Sequence, residues 1–153
     1  LIVGDGSARS DVEMAFEKSC FKTKNNAIFY AGKVEDQCLE EIYGSADIFV
    51  WPAFNEAYGM VLLEAQAASL PLVVGNSGGV SDVIDSGRSS TVVDLDDPNE
   101  FGAAIRHLLD SPKLRKYMGD CGAQFIRQKR SVVSAAAVLQ SAVGHASSYS
   151  KNW

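Results

Sequence analysis

Residues 47–75 read DIFVWPAFNEAYGMVLLEAQAASLPLVVG: an apolar strand, a loop, a stretch of helical length and a second apolar strand. Asp47–Val50 and Leu72–Gly75 are short and almost uniformly apolar. A half-solvated antiparallel strand would alternate, so these read as parallel strands covered on both faces. Leu1–Val3, Ala27–Tyr30 and Thr91–Val93 repeat the strand pattern on either side. Between and after the strands lie helical stretches. Ser10-Asp11-Val12-Glu13 has the form of a capping box opening a helix to about Cys20. Further helices are expected over Glu35–Ser45, Gly59–Ala68, Val80–Asp85, Asn99–Leu109, Pro112–Lys129 and Val132–His145, with Pro98 and Pro112 at helix starts. Strand and helix alternate five times, which predicts an α/β fold: a doubly wound, Rossmann-like parallel sheet with helices on both faces. No repeat or linker interrupts it, so one domain is expected over residues 1–147, with a flexible tail at 148–153.

Composition narrows the function. The chain has 153 residues, 46% of them hydrophobic and 22% charged, which suits a globular domain with a real core. A net charge of −5 argues against nucleic acid or an anionic membrane as the main partner. Cys20, Cys38 and Cys121 are widely spaced and form no CxxC, which fits reduced thiols better than a disulfide framework or a zinc site. A cytoplasmic location is therefore expected, peripheral association with the cytoplasmic membrane face included. No apolar run approaches the roughly 18 residues of a membrane span. The abrupt start at Leu1-Ile2-Val3-Gly4, without a methionine, reads as a cut inside a longer protein.

In a sheet of this kind ligands sit beyond the carboxyl ends of the strands. Four loops qualify: Gly4–Arg9, Gly32–Asp36, Trp51–Tyr58 and Asn76–Gly79. In the third, Gly59 lets the backbone approach a ligand, and the N–H groups of Gly59, Met60 and Val61 at a helix start suit a phosphate. Glu56 precedes that start and Glu64 follows it by about 7–8 Å along the helix. Two carboxylates flanking a phosphate repel it, so they suit hydroxyls on either side, a sugar for Glu56 and a ribose for Glu64. The competing reading makes both glutamates solvated surface charges. Against it stands the apolar company of Glu64, between Leu63 and Ala65, which leaves it little solvent face.

The other loops are less specific. Gly4-Asp5-Gly6 follows a strand, but Arg9 stands where the third glycine of G-x-G-x-x-G belongs, and a tight turn explains the glycines equally. Asn76-Ser77-Gly78-Gly79 suits a backbone nest for an anion or a flexible turn. Lys33 suits a phosphate or base contact or a solvated charge. His107 and His145 have no catalytic partners in sequence, and no G-x-S-x-G supports a hydrolase triad.

Glu56-x7-Glu64, set in residues 55–65, resembles the paired-glutamate motif of retaining GT-B glycosyltransferases, in particular the C-terminal donor-binding domain of glycosyltransferase family 4 (group 1). Leu1–Gly6, Phe29–Val34, Tyr43–Pro52, Ala67–Val74 and Gly78–Val80 resemble further segments of that family in the same order. The resemblance implies a hexosyltransferase that retains anomeric configuration, using a UDP- or GDP-sugar with no metal or cofactor. Glu56 would be catalytic, holding hydroxyls of the transferred sugar, and Glu64 would hold the ribose. Tyr58, Gly59, Met60 and Val61 would line sugar and pyrophosphate. Gly4, Gly6, Lys33, Val34, Gly78 and Gly79 would supply phosphate or base contacts. It further implies a glycan, lipid or polysaccharide acceptor, a missing N-terminal acceptor domain, and a missing first strand-helix unit carrying an Arg and a Lys for the pyrophosphate. The chain alone is then expected to be inactive. Ser69 stands where the family commonly has glycine, Ser81-Asp82 where it has Pro-Glu, and Ser89-Ser90 where it has Asn-Gly. A nucleotide-sugar epimerase of the same fold and a non-catalytic nucleotide-sugar-binding module are the alternatives.

Overall fold

Leu72–Gly75 is the middle strand of a three-stranded parallel sheet in the computed structural model, which describes residues 1–18, 28–54 and 56–149, with side chains as far as Val143. The elements run β1 (Ile2–Val3), α1 (Arg9–Lys18), β2 (Tyr30–Gly32), α2 (Asp36–Ser45), β3 (Phe49–Trp51), α3 (Met60–Ala67), β4 (Leu72–Gly75), α4 (Val80–Val83), β5 (Ser90–Val93), α5 (Pro98–Leu109), α6 (Pro112–Lys129) and α7 (Val132–Tyr149). They fall into two compact units, Leu1–Ile42 and Tyr43–Trp153, and the strands into two parallel sheets, β1-β2 and β3-β4-β5.

In the second unit Phe49 pairs with Leu72 and Trp51 with Val74, and β4 pairs with β5 from Leu72↔Ser90 to Gly75↔Val93. Side chains alternate across a strand, and the packing follows. Leu72 and Val74 join Ala53, Leu62, Ala65, Leu70, Val80, Val83 and Ile84 on one face; Val73 joins Val93, Leu108 and Met118 on the other. Leu72, Val73 and Val74 are fully buried, as the uniform apolar run requires. Thus α3 and α4 cover one face and α5 and α6 the other.

The end of α3 bears on a residue singled out in the sequence. Ser69 N–H donates to the Gln66 carbonyl and Leu70 N–H to the Ala65 carbonyl, both at 3.0 Å, so the helix closes in a Schellman motif. The residue after its cap, Ser69, has φ 62°, the left-handed conformation that favours glycine. A side chain there costs about 1–2 kcal/mol, partly offset because glycine loses more freedom on folding, about 0.4–1 kcal/mol. Ser69→Gly is therefore expected to stabilise the protein by about 0.5–1 kcal/mol, read as a higher midpoint in urea at unchanged slope.

A buried polar group ties α3 to its surroundings. Gln66, with no exposure, donates from Nε2 to the carbonyls of Leu62 (3.0 Å) and Val83 (2.8 Å), and its Oε1 accepts from the Ser89 hydroxyl at 2.9 Å. The amide is satisfied at both ends, as burial demands. Next to it α6 presents small residues inward: Gly119 comes so close to the Ser69 carbonyl that a Cβ would overlap it, and Gly122 lies against Gln66 and Ser89.

The first unit departs from its expected helix start. Ala8, not Ser10, precedes the helix: Val12 N–H donates to the Ala8 carbonyl at 3.1 Å, and Ser10 lies inside α1. The box does not form because Glu13 is taken by Arg9, whose Nε lies 2.8 Å from Glu13 Oε1 and Nη1 3.4 Å from Asp5 Oδ2. Here β2 begins at Tyr30, three residues later than the expected Ala27, which with Cys20 lies outside the described residues. At the far end α7 continues to Tyr149 instead of stopping at His145, so Ser148 and Tyr149 belong to a helix rather than to a tail, whose remainder (150–153) is outside the described residues. The expected Val80–Asp85 helix stops at Val83 because Ile84 is extended, with φ −123° and ψ 160°.

Candidate functional site

The richest polar arrangement lies where β3 runs into α3. Glu56 is half-buried, and its carboxylate works inside the protein. Oε2 accepts from Trp51 Nε1 at 3.1 Å; Oε1 accepts from Gly59 N–H at 2.9 Å and Tyr58 N–H at 3.4 Å. A carboxylate beside a helix N-terminus meets both unpaired N–H groups and the positive end of the helix dipole. The expectation that Gly59, Met60 and Val61 all keep free N–H groups is thereby corrected, since Gly59 N–H is occupied by Glu56. Those of Met60 and Val61 have no protein acceptor among the described residues. Three donors on a carboxylate with about four lone-pair sites leave Glu56 room for roughly one more hydrogen bond. Gly59 has φ 80°, and a Cβ on it would stand 2.9 Å from Leu62 Cδ1, so backbone and packing both call for glycine.

Glu64 is exposed, contrary to the expectation drawn from its apolar neighbours. Leu63 and Ala65 point about 100° away around the helix; of the residues sharing its face, Met60 and Ala67 are exposed and Val61 and Ala68 half-buried. Among the described residues its partner is the Tyr43 hydroxyl, which donates to Oε2 at 3.0 Å. That leaves roughly three lone-pair sites open, enough for both hydroxyls of a vicinal diol. Partial burial, then the hydrogen bond to Glu64 and its charge, push the Tyr43 phenol up to about 12. The native state prefers the neutral phenol, so this contribution to stability is full below pH 10 and fades as pH rises from 10 to about 12. An absorbance titration at 295 nm is expected to show one tyrosine ionising near pH 12, absent in Tyr43→Phe.

The Asn76–Gly79 loop packs against the same turn. A Cβ on Gly78 would stand 2.8 Å from the Glu56 carbonyl and one on Gly79 2.6 Å from that of Ala57. Close backbone packing therefore accounts for this glycine pair. Glu56, Tyr58, Gly59, Met60, Val61, Gly78 and Gly79 thus come together around one turn, with Glu64 farther along α3; Asn55 lies outside the described residues. Trp51 and Tyr43 escaped the sequence reading as site residues, because nothing periodic links either one to its glutamate.

Gly4, Gly6, Lys33 and Val34 belong to the first unit. Gly4 has φ 123° and donates its N–H to the Gly32 carbonyl at 2.8 Å; Gly6 N–H donates to Asp5 Oδ1 at 2.9 Å. Both are exposed, as is Lys33, while Val34 is half-buried. Ile2–Gly6, Ala8, Arg9, Val12 and Tyr30 surround a cavity of about 290 Å³, with the paired Arg9 in its wall. His107 is exposed, Cys38 exposed and Cys121 buried.

The family model for glycosyl transferases group 1 matches residues 1–125. The chain belongs to this family. Among similar group 1 proteins, the D-inositol 3-phosphate glycosyltransferase of Corynebacterium kroppenstedtii is 39% identical over 82 residues, which is 54% of this chain and 18% of that protein. The sulfoquinovosyl transferase of Arabidopsis thaliana is 31% identical over 120 residues, 76% of this chain and 22% of the plant protein. The chain thus spans about a fifth of the curated relatives it matches. Among solved structures, Anabaena HepE in complex with UDP superposes with a TM-score of 0.76 at 16% identity, over 94% of this chain and 40% of that one. That likeness carries the fold: parallel sheets with helices on both sides, as in the Rossmann-like domains of GT-B glycosyltransferases. In this group 1 chain no helix among the described residues is long and apolar enough to cross a membrane. Nor does any group of three or more His, Cys, Asp and Glu among them come together as a metal site.

Proposed function

We propose that this chain is the donor-binding part of a retaining glycosyltransferase that takes a UDP- or GDP-sugar and passes the sugar to a glycan, lipid or polysaccharide held by a separate acceptor domain. One observation carries the reading: Glu56 and Glu64 bracket the start of α3, where the Met60 and Val61 N–H groups are open. In this reading those N–H groups and the α3 dipole face the pyrophosphate and stabilise the departing diphosphate. A helix end supplies only about half a charge, so cations beyond this turn complete the neutralisation, and no metal or cofactor is required. Glu56, anchored by three donors, is the catalytic carboxylate and offers its remaining lone pair to a hydroxyl of the transferred sugar. Glu64, with more open lone pairs, takes the ribose diol. Tyr58 and Gly59 line the sugar, and the backbone of Gly78 and Gly79, packed on the same turn, contacts the phosphates. The place of work is the cytoplasm, its membrane face included. The UDP held by the structural relative HepE supports a nucleotide donor.

The test is Glu64→Ala in the full-length protein. Losing a charge-assisted hydrogen bond costs about 1.5–3 kcal/mol, so affinity for the donor nucleotide is expected to fall about 10- to 150-fold by calorimetry. Unchanged affinity removes the ribose role.

A further inference from the structure

The two glutamates are joined through an aromatic column. Side chains alternate along β3, so Phe49 and Trp51 share the face that packs under α3, and their rings stack with centroids 6.1 Å apart and planes 15° apart. Tyr43, near the end of α2, closes on Phe49 at 5.8 Å with a 56° tilt. Each end of the column carries a hydrogen-bond donor on a carboxylate: Tyr43 Oη on Glu64 Oε2 at 3.0 Å, Trp51 Nε1 on Glu56 Oε2 at 3.1 Å.

We propose that Tyr43 is a positioning residue for Glu64: clamped by the column, its hydroxyl fixes the glutamate rotamer and the oxygen left open for the nucleotide ribose. This rests on the donor-site reading above. An exposed glutamate otherwise wanders among rotamers, and a ligand binding it must supply the ordering. Tyr43 is half-buried, with water as an alternative partner, so satisfying a trapped hydroxyl does not explain the contact. Its ring is held by Phe49, which leaves the hydroxyl little freedom to follow a moving carboxylate. At neutral pH the phenol keeps its proton, so its hydroxyl stays available to donate to the Glu64 carboxylate.

Tyr43→Phe keeps the column and deletes the donor. The experiment uses the full-length protein, calorimetry, and four probes: UDP, GDP and their 2′,3′-dideoxy counterparts. Tyr43→Phe is expected to weaken UDP or GDP, whichever the protein prefers, about three- to tenfold. It should leave the dideoxy counterpart and the melting temperature nearly unchanged. Glu64→Ala, run in parallel, should show the same selectivity with a larger loss. If Glu64→Ala discriminates between ribose and dideoxyribose but Tyr43→Phe does not, the positioning role is overturned and the donor-site reading stands. If Glu64→Ala weakens both nucleotides equally, the donor-site reading falls and the proposal with it.

Discussion

Glu56→Gln in the full-length protein is expected to lower turnover about 10²- to 10³-fold while the fold persists. The carboxylate receives the Trp51 indole on one oxygen and the Gly59 and Tyr58 amides on the other. A glutamine keeps one acceptor atom. Whichever way its amide turns, its NH₂ faces either the indole N–H or the backbone N–H groups, and that donor–donor encounter expels the side chain from its place. The loss of the anion at the start of α3 adds a stability cost of about 0.5–2 kcal/mol, typical of a removed helix cap. The catalytic loss is larger because the remaining lone pair, which the reading assigns to the sugar, goes with the displaced group. Steady-state turnover and a urea titration on the same preparation separate the two effects. Turnover within tenfold of the parent in a folded variant would take the catalytic role away from Glu56.

Gly119→Ala is expected to destabilise the protein by about 2 kcal/mol or more. Two effects oppose each other. Alanine is favoured over glycine in a helix interior by about 1 kcal/mol. Against that, the new Cβ overlaps the Ser69 carbonyl, a backbone atom that cannot rotate aside. Overpacking of this kind costs about 1–3 kcal/mol and more where backbone must shift. The clash therefore wins, and the melting temperature should fall by about 4–8 °C for a chain of this size. Gly122→Ala is the control. Its Cβ would meet Gln66 Cγ at 3.2 Å and Ser89 Cβ at 3.3 Å, side-chain atoms able to yield a few tenths of an ångström. The propensity gain offsets most of the crowding there, so the change should lie near zero. Equal losses at the two positions would mean that α6 shifts bodily and that the Ser69 contact is not decisive.

The parts of the fold that were legible in sequence are those where one physical signal dominates. Strand β4 spans the expected Leu72–Gly75 because burial on both faces leaves an unbroken apolar run. Helix α6 keeps its expected limits because Pro112 sets its start and a basic turn its end. Where several signals compete, local reading slips. Ser10 had the form of a cap, yet the Asp5–Arg9–Glu13 ladder stabilises a start two residues earlier than a cap at Ser10 allows. Strand β2 includes Ala31 and Gly32, weak strand formers placed by the pairing of Tyr30 with Ile2 and Gly32 with Val3 and not by their own propensity. The glutamate pair was legible through its spacing around a helix start. Its supports were not, because Tyr43 lies 21 residues from Glu64, a separation that no helical or strand period encodes. That Ser69 departs from a glycine was visible in sequence; that the position is left-handed was not.

The parallel register of β3, β4 and β5 also governs how this unit comes into being. Neither edge of β4 is paired by an adjacent stretch of chain: its partners are Phe49–Trp51 before it and Ser90–Val93 after it. Chains are synthesised at about 5–20 residues per second, so Val93 emerges about 1–4 s after Val74. Throughout that interval the edge of Leu-Val-Val that β5 will take stands unpaired and uncharged. Non-local parallel pairing is slow to form, and an exposed apolar strand is a template for association with other chains. The nascent protein thus passes through a window in which a holding chaperone has most to offer. Slower translation through residues 75–93 would widen that window and lower the soluble yield without altering a single native contact.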